Sequence, residues 1–163
     1  MRARLAVLVL ASLLGSACGV PIDLVKNCRV SAETTGWFDA GITEDGKNKL
    51  VPSVVFRVSN TGDKPFRGLQ FNCIFKRVGD PEEWSTELIR GASAGANHLA
   101  PGAMSAPINV RASQGYTGIQ PRADILQNKL FVDAKVEIFG KAGSATWVKL
   151  GEFPITRQLL AKQ

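Results

Sequence analysis

Three cysteines, one histidine and a scatter of carboxylates are the residues of this chain that could perform chemistry. Their spacing supports very little of it. His98 stands in a stretch rich in Gly and Ala, with no Ser–His–Asp or Cys–His set around it. Cys28, Cys73 and His98 lack the paired spacing of a zinc site. Asp80, Glu82 and Glu83 surround Pro81, which is the composition of a solvated turn rather than of a cation site. Asn60-x-Gly62-Asp63 is short of the carboxylates that a calcium loop needs. No catalytic residue, metal ligand or cofactor is expected, and the chain is expected not to be an enzyme.

What remains are groups that bind. Trp37, Trp84, Trp147 and Tyr116 are the large amphipathic aromatics, the type that dominates interface hot spots. Core packing is the commoner use of a tryptophan. Tyr116 sits in the tight-turn segment Gly115-Tyr116-Thr117-Gly118 and is expected to be an exposed contact. Tyr116, Trp84 and Trp37 are therefore the candidates for binding a partner.

The elements that must position these residues are strands. In Leu50–Arg77 the side chains of Val54, Phe56 and Val58 alternate with Val55, Arg57 and Ser59. Leu69, Phe71, Cys73 and Phe75 likewise share one face, opposite Gln70, Asn72, Ile74 and Lys76. Such a period of two marks half-buried strands. Between them, residues 59–65 hold turn residues, with Asn60 and Gly62 read as tolerating positive φ. The two strands form either a hairpin or a crossing between two sheets, and the pattern leaves both open. Further strands are expected as short pieces over Val25–Val30 and Thr34–Phe38, and over Trp84–Ile89, Ile108–Ser113, Leu130–Phe139, Thr146–Leu150 and Phe153–Thr156. Pro121–Lys129 suits a turn or two of helix. Gly91–Pro107 is long for a loop and is expected to be a crossover connection. Many short strands with little helix predict an all-β chain, an antiparallel sandwich of about seven strands occupying residues 33–160.

The N-terminus has a different character. Arg2 and Arg4 precede an apolar run from Leu5 to Leu14 and then small residues, the anatomy of a signal peptide over residues 1–17. Its removal lowers the formal charge of +6 by two, to +4, and the remaining positive residues are scattered. A nucleic-acid reader clusters its basic residues with stacking aromatics, so nucleic acid is not an expected partner. In an exported protein Cys28 and Cys73 are expected to form a disulfide, worth roughly 4 kcal/mol in the chain-entropy model. The other use of Cys73 is as a small buried hydrophobe on the Phe71/Phe75 face.

Leu14-Gly15-Ser16-Ala17-Cys18 resembles the lipobox of bacterial lipoproteins, which implies that Cys18 is lipidated and anchors the chain to a membrane. Residues 18–32 would then be lipidated N-terminus and tether. By the same resemblance, Gly19 in place of Asp after the cysteine implies the outer membrane, with the protein facing the periplasm. The Asn60-x-Gly62-Asp63 turn, Phe71-x-x-x-Phe75 and Pro101-Gly102 resemble immunoglobulin-like envelope modules of the FxLYD kind. That resemblance implies an immunoglobulin-like sandwich with a noncatalytic role. The expected function is an exported, lipid-anchored envelope protein that binds an unidentified envelope protein as an accessory module. The alternative is a secreted or periplasmic carrier of a small apolar ligand between its sheets.

Overall fold

The structure, a computed structural model, describes residues 22–91 and 98–160. Its elements in chain order are α1 (Leu24–Asn27), β1 (Cys28–Ile42), β2 (Asn48–Asn60), β3 (Phe66–Arg67), β4 (Leu69–Arg77) and β5 (Ser85–Arg90). There follow β6 (His98–Leu99), β7 (Ile108–Arg111), β8 (Tyr116–Gly118), α2 (Arg122–Gln127), β9 (Ala134–Ala142), β10 (Val148–Pro154) and β11 (Leu159–Leu160). The chain is all-β. Eleven strands are present among the described residues, against the seven or so expected, and four of them are only two or three residues long. One sheet has the order β11-β1-β2-β7, with β8 also on β2; the second is β10-β9-β4-β5; β3 and β6 form a small third sheet. Pairing is antiparallel except between β1 and β11.

The period of two in the sequence explains the core. In β4 Leu69, Phe71, Cys73 and Phe75 are buried and the residues between them are half-exposed. Val54, Phe56 and Val58 of β2 face them, and Phe56 meets Phe71 edge-on with ring centroids 5.7 Å apart. Val136 and Ile138 of β9 complete the layer. Each large side chain fully withdrawn from water contributes about 1.5–3 kcal/mol, and a one-residue slip would expose the whole set. Of the two alternatives for Leu50–Arg77, the crossing is the one found. β2 and β4 lie in different sheets, and the chain passes between them after Asn60.

That crossing is fixed by hydrogen bonds rather than by backbone conformation. Neither Asn60 nor Gly62 has a positive φ, contrary to the turn expected there. Asn60 is instead buried, at 1% exposure. Its Nδ2 donates to the carbonyls of Lys64 (2.8 Å) and Leu99 (2.9 Å), and its Oδ1 accepts from Gly62 N (3.0 Å). Every polar atom of the amide is used, as a buried Asn requires.

Four expectations need correction. The disulfide is absent: Cys28 and Cys73 are both free and buried. Cys28 opens β1 in one sheet while Cys73 sits mid-strand in the other, each packed as a small hydrophobe. Residues 24–32 belong to the fold rather than to a tether, because Leu24 is buried and β1 already begins at Cys28. The two strand fragments expected near Cys28 and Thr34 are one strand, with a bulge between Ala32 and Thr34. The strand expected from Leu130 starts at Ala134, since Asn128 Oδ1 accepts from Leu130 N and Phe131 N bonds back to the Asn128 carbonyl, turning the chain. Leu130 and Val132 are exposed in consequence, and Phe131 goes inward. The signal peptide, Cys18 and residues 92–97 of the expected crossover loop lie outside the described residues.

Candidate functional site

Four aromatic side chains from four separate segments meet at one end of the β1–β2 ladder. Trp37 lies on β1, opposite Pro52 of β2 and flanked by Leu159 of β11. Gly36 before it lets β11 approach, since a Cβ there would lie 2.7 Å from Leu160 Cδ2. Tyr116 is brought in by β8, where it pairs with Leu50. The preceding Gly115 runs so close to β2 that a Cβ would fall 2.0 Å from the Leu50 carbonyl oxygen, so this position accepts only glycine. Trp84 precedes β5, and Phe131 enters from the turn after α2.

The rings contact one another at tilted or edge-on geometries favoured by the aromatic quadrupole. Trp37 is 4.7 Å from Phe131 and 5.6 Å from Tyr116, and Tyr116 is 5.0 Å from Trp84 and 4.7 Å from Phe131, centroid to centroid. Two guanidinium groups cap the cluster: Arg77 lies 5.9 Å from the Trp84 ring and Arg157 lies 5.0 Å from the Phe131 ring. Arg157 also donates to the Phe131 carbonyl and pairs with Asp133, which raises its pKa further. The Tyr116 hydroxyl donates to the Val132 carbonyl (3.2 Å) and accepts from Val132 N (3.3 Å). Tyr116 is thus the pin that holds the turn after α2 against the sheet.

A cavity of about 200 Å³ opens beside the cluster, lined among others by Tyr116, Gln120, Ile125, Asn128, Leu130 and Phe131. Leu130 is 86% exposed at this cavity, and nearby Ile119 is 84% exposed. The surface combines two half-buried aromatics, exposed aliphatics and an apolar cleft. Such a surface can seat an apolar or flat group of a partner. The Tyr116 hydroxyl and Asn128 Oδ1 are engaged in structural bonds, the Trp37 indole N–H is buried without a partner among the described residues, and no group of three His, Cys, Asp or Glu side chains able to hold a metal occurs among those residues.

Of the aromatic candidates, Trp84 and Tyr116 are half-buried at the surface and adjacent. Trp37 is a correction. It is fully buried, so it supports the other rings from beneath and cannot itself touch a partner. Trp147 is apart from them, under Lys141. His98 is exposed on β6. The acidic cluster is used locally: Asp80 accepts from Glu82 N and from Arg77, which holds its carboxyl below the usual range, and Glu83 accepts from Thr86. Phe131, Arg77 and Arg157 were not singled out by the sequence. Phe131 was hidden by the alternation of residues 130–139, which puts it on the polar face of a longer strand. The Asn128–Leu130 turn that reverses it leaves only Asn128 as a signal.

No family model and no curated protein matches the chain. Among solved structures, one described as an X-ray structure of Northeast Structural Genomics Consortium target SoR45 is similar, with 14% identity and a TM-score of 0.48. The match covers 86% of this chain and 96% of that one. No functional statement follows from a likeness at that level.

Proposed function

We propose that this chain is an exported lipoprotein, anchored by Cys18 and carrying an immunoglobulin-like β-sandwich that binds a protein partner in the cell envelope. The anchor would sit in the outer membrane with the domain facing the periplasm. The observation that carries the reading is the placement of the aromatic surface relative to the N-terminus. Five residues separate Cys18 from α1, a reach of at most about 22 Å, so an anchored domain would lie close to the bilayer with Cys28 and Asn60 on its near side. Trp37 lies nine residues further along β1, roughly 30 Å at the usual rise per residue, so Trp84 and Tyr116 would face away from the membrane. A surface held outward by a short anchor suits contact with another envelope protein. The carrier reading is less well supported, because Phe56, Phe71, Phe75, Val54 and Val136 fill the space between the sheets.

The test is acylation and capture in the same cells. Labelled palmitate should enter the wild type and not Cys18→Ser. Crosslinking should capture one stoichiometric partner from the wild type, with capture lost in a Trp84→Ala, Leu130→Asp double variant that keeps Trp37 and Tyr116. Unlabelled wild type, or capture unaffected by both changes, would refute the reading.

A further inference from the structure

The outer edge of β5 has the features of a strand that pairs with another chain. Ser85, Glu87 and Ile89 stand opposite Phe75, Cys73 and Phe71 of β4, and Gly91 N donates to the Leu69 carbonyl at 2.6 Å in the same register. In an antiparallel ladder these alternate residues spend both backbone groups on β4. The N–H and C=O of Thr86, Leu88 and Arg90 therefore point away from the sheet, and none of them has a partner among the described residues. The side chains of the same three residues are exposed, Leu88 by 57%.

The other edges are blunted in the ways natural sheets use against unwanted pairing. β10 has a bulge between Lys149 and Gly151, ends on Pro154, and lies against α1 and β1. β7 is four residues long and follows Pro107. β11 covers part of β1. β5 has no bulge, no proline and no lysine over its six residues, and its one inward charge, Glu87, is tied down by Ser113 N and Ser85 Oγ.

We infer that the β5 edge pairs with β5 of a second copy of this chain, about a twofold axis through Leu88. The register is constrained. Inward residues must oppose inward residues, and centring on Glu87 would put two carboxylates face to face. Centring on Leu88 opposes Leu88 to Leu88 and Thr86 to Arg90 of the other copy. All six outward backbone groups of each edge are then paired, giving six hydrogen bonds across the dyad. The charges also agree. Glu83 is held beside Thr86 by the Thr86 hydroxyl at 2.9 Å, so Arg90 of the other copy, arriving opposite Thr86, meets that carboxylate twice in the symmetric pair. Glu87, which approaches its own copy diagonally, is already engaged by Ser113 N (2.8 Å) and Ser85 Oγ (2.9 Å). The interface is isologous and merges the two four-stranded sheets into one of eight strands. One strand per copy falls short of the area of a tight complex, so the dimer is a weak and reversible one.

Sedimentation velocity of the full chain over a concentration series, in mild detergent, tests this. The expected result is a reversible monomer–dimer equilibrium. Arg90→Glu should weaken dimerisation about tenfold, because two surface ion pairs become repulsions. Adding Glu83→Arg should restore it, and Leu88→Lys should abolish it. Ile42→Lys, at an equally exposed aliphatic on β1, should change nothing. Circular dichroism of each variant separates loss of pairing from loss of fold. A wild type monomeric throughout the series overturns the inference, as does a dimer indifferent to Leu88→Lys and to the charge reversal.

Discussion

Replacement of Asn60 measures how the chain is steered from one sheet to the other. In Asn60→Leu the volume is nearly kept and three backbone groups lose their partners: the carbonyls of Lys64 and Leu99 and the N–H of Gly62. Lys64 and Gly62 lie near solvent and can recruit water, so each lost bond costs about 0.5–1.5 kcal/mol. The Leu99 carbonyl belongs to a residue only 4% exposed, and stranding it costs about 1–3 kcal/mol. Together these give roughly 4 kcal/mol, a large part of the 5–15 kcal/mol typical of a domain. The midpoint of thermal unfolding should fall by about 8–16 °C. Urea unfolding followed by tryptophan fluorescence would give the free energy directly. Asn60→Asp should be at least as damaging, because it keeps the acceptor for Gly62 N but turns a carboxylate toward two carbonyl oxygens. Asn60→Gly should also be severe. A near-neutral Asn60→Gly with a damaging Asn60→Leu would mean that backbone freedom matters here and the hydrogen bonds do not, which refutes the argument.

Two other perturbations follow from the same physical reading. Glu137 is held between Lys149 (2.8 Å) and Lys76 (2.9 Å) on the outer face of β9, and these partners lower its pKa to about 2. A depressed carboxyl stabilises the fold above its unfolded pKa near 4.5, and that contribution is lost as pH falls through about 2. Glu137→Gln should therefore destabilise the chain at pH 7, with the difference from wild type shrinking steadily between about pH 4.5 and pH 2 in urea titrations. Burial pushes the thiols of Cys28 and Cys73 up to about 12, so in the folded chain both should resist thiol reagents at pH 8 and both should react in denaturant. Under denaturing conditions a chain acylated at Cys18 should titrate two thiols, whereas an unmodified one should titrate three.

The strands were legible where one face is wet and the other dry. The alternation in Leu69–Arg77 and in Ile108–Arg111 maps directly onto burial. Three features were not legible, each because a local signal was overruled at longer range. Asn60 has the composition of a turn residue, and two of its amide partners are local, but the third, the Leu99 carbonyl, lies 39 residues away. The alternation through Leu130 and Val132 continues that of β9, yet the Asn128 turn and the pull of Trp37 and Tyr116 on Phe131 end the strand at Ala134. Export suggested a bridge between Cys28 and Cys73, but the compartment says nothing about which sheet each residue joins. The aromatic site was half legible: Trp84 and Tyr116 were named from residue type, while the burial of Trp37 follows from the rings of Trp84, Tyr116 and Phe131 packed on it, three segments distant in the chain with no shared sequence pattern.

In the proposed role a short N-terminal anchor at Cys18 holds the Trp84–Tyr116 pole outward for a protein partner. In-cell crosslinking and pull-down of the wild type beside Cys18→Ser tests it most directly. One stoichiometric protein partner should be captured from membranes with the wild type and lost when the anchor is removed. Wild type and Cys18→Ser recovered as equally soluble chains, with no partner on either, would contradict it.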